Sequence, residues 1–218
     1  MALSSVVTQY PEVAAVVARL VRSPEVARHW HAESACAGMT VGGLAHHVAR
    51  QTSHVVTLLS AAPGADEVIS VLDHYRRAAW VHTSLDDDQN VEIRSSADAS
   101  AASGPDALLA RMDADLEALP DALDPVIRGA RVPDAVHLPW QGWSLSTADF
   151  LLTRTMECVV HTDDLAASVG LPTPELPAEP VREVLALLAA VAAERHGQVA
   201  LVRALSRPQR AVGPVSAF

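Results

Sequence analysis

An all-α fold, a bundle of four long helices with a long crossover and a short C-terminal extension, is predicted by three features of the sequence. Alanine, valine and leucine dominate a chain of 218 residues in which aromatics are only 4%, a mixture that suits packed helices better than a β-sandwich. Apolar residues recur at steps of three and four along several stretches, the period of a helix with one buried face. Hydrophobic residues make up 50% of the chain, enough for a sizeable core in one unit spanning 1–218.

The elements follow in order. Val6, Tyr10, Val13, Val17 and Leu20 share one helical face entered from Ser4 or Ser5, with Pro11 delaying or kinking the start. A loop over 34–39 leads to Thr40, a good N-cap, and Val41, Leu44, Val48, Val55 and Leu59 then form the stripe of a second helix ending near Pro63. Val68, Leu72, Tyr75, Ala79 and His82 predict a third helix from about Asp66. The polar, small-residue stretch 86–105 reads as a long surface loop. Leu108, Met112, Leu116 and Leu119 mark a further helix, and the prolines and glycines of 120–145 an ordered, irregular crossing. Ser146, with Asp149 three residues on, opens a helix to about Ser168, before Gly170 and Pro172. A last helix over 180–196 stops at Gly197, and 198–218 is a tail, a short helix or strand.

The net charge of -10, from 16 Lys plus Arg against 26 Asp plus Glu, leaves no basic stripe to neutralise a phosphate backbone and argues against nucleic acid as a partner. It also disfavours attraction to anionic membranes. Cys36 and Cys158, far apart, form no disulfide framework. The N-terminal stretch has no basic region and meets Tyr10-Pro11 before any long apolar run, and the run 184–193 is too short to span a bilayer and is bounded by Glu183 and Glu194. A cytoplasmic protein with no membrane span is the expectation.

The chemistry concentrates on the helix that begins after Ser146. Arg154, Glu157, His161 and Asp164 follow steps of three, four and three, which places them within an arc of roughly 80°. Leu151, Leu152, Met156, Cys158, Val159, Val160 and Leu165 surround this stripe, so it needs a compensating partner inside the fold. A carboxylate and an imidazole at i and i+4 can offer oxygen and nitrogen to one ion; the same spacing also serves an ordinary hydrogen bond on a helix face. A third ligand would come from another helix, and His46, His47 and His54 of the second helix are all candidates that spacing does not separate. Arg154 either pairs with Glu157 or Asp164 or orients a carboxylate or substrate anion, while Asp164 would receive an imidazole N–H. Cys158 reads as core filling, and Trp140 and Trp143 as a bundle cap or the mouth of a pocket. Serine-hydrolase, phosphate-loop, dinucleotide and clustered C-x-x-C motifs are missing.

Thr40-Val41-Gly42-Gly43-Leu44-Ala45-His46-His47-Val48 resembles the T-V-x-x-L-x-x-H signature of the DinB-like, mycothiol-dependent maleylpyruvate isomerase family. Arg154-Thr155-Met156-Glu157 through His161-Thr162-Asp163-Asp164-Leu165-Ala166 looks like that family's R-x-x-E-x-x-x-H-x-x-D-L-A segment. The resemblance runs from the first helix to the tail and implies a DinB-like four-helix bundle. Its register selects His47, and it implies a divalent ion, usually zinc, held by His47, Glu157 and His161 with positions left for water or substrate. It further implies mycothiol as cosubstrate. The isomerase members carry an additional C-terminal domain, which the segment 198–218 is too short to form; the expectation therefore favours thiol transfer to an electrophilic small molecule over isomerisation. Arg154 and Asp164 are assigned to the catalytic set, and Trp140 and Trp143 to binding of the cosubstrate. The alternatives are a thiol-independent metal-dependent hydrolase, lyase or isomerase, and a noncatalytic metal-binding regulator with a purely structural ion; a closed fourth coordination position would mark the last.

Overall fold

The computed structural model describes residues 3–64, 66–78, 81, 87–211 and 213–218. Its helices are α1 (Ser5–Thr8), α2 (Tyr10–Val21), α3 (Pro24–Arg28), α4 (Val41–Ser60), α5 (Val71–Arg77), α6 (Asp88–Ala101), α7 (Pro105–Ile127), α8 (Thr147–Ser168), α9 (Ala178–His196) and α10 (Gln198–Ser206). Three short strands, β1 (Val68–Ile69), β2 (Val136–Leu138) and β3 (Trp143–Leu145), form one sheet in the order β1-β3-β2. In it β1 runs parallel and β2 antiparallel to the central β3. Among the described residues no helix is long and apolar enough to cross a membrane.

The two helices that matter most begin as their sequences require. Thr40 Oγ1 accepts from Gly43 N at 3.0 Å at the start of α4, and Ser146 Oγ from Asp149 N at 3.1 Å at the start of α8, each satisfying an amide that the helix leaves unpaired. The bundle consists of α2, α4, α7 and α8, with α6 laid along α4, and α9 covering α8. Val17, Leu44, Val48 and Leu165 belong to one core cluster, Tyr10, Val55, Leu123 and Phe150 to a second, and Met156, Val184 and Leu187 to a third that fastens α9 to α8.

Four expected elements differ from those observed. The first helix is two, α1 and α2, because Pro11 restarts the helix within its first turn. The third begins as strand β1 and becomes helical only from Val71, where Ser70 caps it; its expected members Ala79 and His82 lie outside the described residues. The stretch expected as a surface loop is the helix α6, held by packing of Ala97 and Ala101 against α4 rather than by any apolar stripe of its own. The expected break at Pro120 does not occur: α7 passes through Pro120 and Pro125 to Ile127, and burial of Leu119, Ala122, Leu123 and Val126 offsets the lost backbone bonds. The tail contributes α10 and a short 3-10 turn.

Candidate metal centre

α4 and α8 pack directly against one another, and their facing polar stripes meet. His47 Nε2 lies 3.1 Å from Glu157 Oε2, and His161 Nε2 lies 3.2 Å from the same oxygen. The imidazole rings of His47 and His161 stand edge to face with centroids 4.8 Å apart. All three side chains are largely buried, with 13%, 15% and 22% of the side-chain surface of His47, Glu157 and His161 exposed.

These separations suit a shared ion. With zinc–nitrogen and zinc–oxygen bonds near 2.0–2.2 Å, tetrahedral donors sit about 3.3–3.4 Å apart, and the observed 3.1 and 3.2 Å fall just inside that. Two nitrogens and one carboxylate oxygen are also the donor set of open, three-ligand zinc sites. His46 and His54 are not part of the cluster; His54 instead stacks on Trp140, with centroids 4.9 Å apart.

The protonation states are set by the cluster itself. Burial opposes ionisation of Glu157, but hydrogen bonds from His161 and His47 outweigh it and hold the carboxyl well below the usual range. Burial likewise disfavours charge on His161, yet Asp164, Cys36 and Glu157 together push the imidazole well above its ordinary value. His47 goes the other way, because burial outweighs its contact with Glu157.

Asp164 Oδ2 accepts from His161 Nδ1 at 2.9 Å. That bond leaves Nε2 of the ring turned to Glu157 and fixes its orientation. Arg154, expected either to pair with Glu157 or Asp164 or to orient an anion, makes no ion pair with either carboxylate among the described residues. It is 8% exposed, donates to Gln51 Oε1 at 2.7 Å and to Thr153 Oγ1 at 3.2 Å, and lies 5.9 Å from the centre of the Phe150 ring. Trp143 is half-buried and donates from Nε1 to His74 Nδ1 at 3.1 Å, while Trp140 is 50% exposed on the far side of His54. Cys158 is fully buried, and burial pushes its thiol up to about 12, in keeping with core filling.

In the sequence Cys36 figures only as a thiol far from Cys158, with no place at the site. Its Sγ donates to Asp164 Oδ2 at 3.4 Å and lies 3.8 Å from His161 Nδ1, so Cys36, His161 and Asp164 form a second group of donors behind the first. A cysteine in the irregular segment before Thr40 has no periodicity that would announce this; only the return of the chain over α8 brings it there.

A family model described as mycothiol maleylpyruvate isomerase N-terminal domain matches residues 10–166. No curated protein and no solved structure matches the chain.

Proposed function

The chain belongs to the mycothiol maleylpyruvate isomerase N-terminal domain family, and from that premise we propose a metal-dependent enzyme that uses mycothiol as cosubstrate and transfers it to an electrophilic small molecule. One observation carries the reading: His47 Nε2 and His161 Nε2 converge on Glu157 Oε2 between two closely packed helices. These three residues would hold a divalent ion, and zinc suits the donor set best. When bound, such an ion supplies acidification of a coordinating thiol and stabilisation of developing negative charge.

The remaining work falls to the chain's own residues. Asp164 fixes the His161 ring through Nδ1. Arg154 holds Gln51, whose Nε2 donates to the backbone oxygen of His47 at 2.8 Å and so steadies that turn of α4. Trp140, half exposed beside His54, and Trp143, anchored on His74, supply apolar surface for the cosubstrate's approach. An external thiol is favoured because neither internal cysteine is presented for attack: Cys158 is sealed in the core with its thiol raised to about 12, and the S–H of Cys36 is directed to Asp164.

The test is turnover by metal-loaded protein over a panel of small electrophiles, with and without mycothiol, following the conjugate by mass spectrometry. Conjugate should form only with both ion and thiol present. Full turnover without thiol would replace this reading with the use of a bound water.

A further inference from the structure

Beside the centre, but outside it, a cleft of about 250 Å³ opens between α4 and α7. His46, Arg50 and Ser53 of α4 line it together with Arg111 and Asp115 of α7 and Ser100 of α6. The fold accounts for the hydroxyls and the carboxylate. Ser53 Oγ donates to Asp115, and Ser100 Oγ donates to the backbone oxygen of Ser96.

The nitrogens of the cleft are not accounted for. Arg50 is partly buried, yet among the described residues its guanidinium makes no hydrogen bond and no ion pair, and its Nε is shielded from solvent with no acceptor. His46 Nδ1 is shielded and unpartnered in the same way. Arg111, at the exposed rim, also has no hydrogen bond or ion pair among the described residues.

Glu157 favours the charge on Arg50 from a distance, but a partly desolvated guanidinium with no hydrogen-bonded acceptor still costs free energy that a bound anion would recover. A guanidinium fork matches the paired oxygens of a carboxylate or phosphate. We propose that this cleft is a binding site for a small oxyanion, gripped by Arg50 and Arg111 and receiving an N–H of His46. The ligand is either an inorganic oxyanion such as phosphate or the carboxylate of a small organic acid. The cleft is lined by none of the three residues that would hold the ion, so either reading can fail alone.

The experiment titrates the 218-residue chain, both as purified and after a chelator has removed any bound metal, separately with inorganic phosphate, sulfate, acetate and succinate at constant ionic strength, by calorimetry and by thermal unfolding. The expected result is saturable binding of about one anion per chain together with a raised unfolding midpoint. Phosphate and sulfate binding ahead of the two carboxylates identifies a tetrahedral ligand, and the reverse order a carboxylate. Arg111→Ala, at an exposed position, and Arg50→Lys, which keeps charge but loses the fork, should each weaken binding roughly tenfold or more, with metal content unchanged. Lack of saturable binding for all four anions overturns the site, as does wild-type affinity in both variants.

Discussion

Arg154 donates to Gln51 Oε1 across 2.7 Å, tying α8 to the helix that carries His47. Gln51 passes the constraint on through its bond to the His47 backbone oxygen. Replacing Arg154 with Ala leaves the buried Gln51 Oε1 without its donor, and the loss of a charge-assisted hydrogen bond in such a place costs about 1.5–3 kcal/mol. Arg154→Ala should therefore lower stability by that amount in denaturant unfolding and also weaken metal retention. Arg154→Lys should recover little, since a lysine has no fork to reach both Gln51 and Thr153.

His47→Ala, Glu157→Ala and His161→Ala should each abolish binding of the proposed ion, because two remaining donors do not make a site. His46→Ala should keep it: that ring faces the neighbouring cleft. Metal content per chain by mass spectrometry separates these outcomes, and equal loss in the His46 variant would show that the register on α4 has been misassigned.

Asp164→Asn should reduce metal affinity or activity by roughly 10- to 100-fold while the helical circular dichroism stays the same, because it removes the carboxylate that orients His161. Cys36→Ala, which deletes only the weak S–H donor behind that carboxylate, should have the smaller effect. Unchanged affinity in Asp164→Asn would return Asp164 to a purely structural role.

Gly42 lies under the Trp30 indole, where an added Cβ would meet the ring at 2.6–2.8 Å. The ring is buried and pinned by its bond from Nε1 to the Ala101 oxygen at 3.1 Å, so it has little room to yield. Gly42→Ala raises intrinsic helix propensity by about 1 kcal/mol, yet overpacking of this kind costs about 1–3 kcal/mol. A net loss in thermal stability is expected; a gain would mean that α6 and Trp30 shift freely.

His74 gives the fold a pH dependence of definite sign. Burial lowers its imidazole from 6.5 to about 4, and the Trp143 N–H points at its bare Nδ1. The unfolded chain therefore takes up the proton first. Its effect on stability is absent above about pH 6.5 and becomes a progressive loss as pH falls to about 4, at about 1.4 kcal/mol per pH unit. Subtracting the unfolding free energy of His74→Gln from that of the wild type over this window isolates the effect. A flat difference would show that His74 titrates near its ordinary value in the folded protein.

What could be read from the sequence was whatever depended on one helix at a time. Thr40 and Ser146 announce the starts of α4 and α8, and the spacing of Glu157 and His161 announces a shared face. Spacing alone could not choose His47 over His46 or His54, because that choice depends on how α4 is turned toward α8; the resemblance of the Thr40–Val48 motif supplied it. α6 was hidden because its polar, small-residue sequence has no stripe, and its helix is maintained by contacts with α4. Gln51 as the partner of Arg154, and Cys36 behind Asp164, are contacts between distant segments with no local pattern.

Asp98 Oδ1 accepts from Thr40 N at 3.0 Å and from Thr40 Oγ1 at 2.6 Å, a partnership spanning 58 positions of the chain. During synthesis the His47 helix thus emerges from the ribosome before the residue that secures its first turn, and Glu157 comes later still, 110 positions after His47. Such long-range closures form late in folding, because chain entropy must be surrendered before they repay it. The proposed ion would then meet a finished receptor and would not nucleate one, so its arrival would mark the completion of folding and leave the histidines of the nascent chain poor competitors for it.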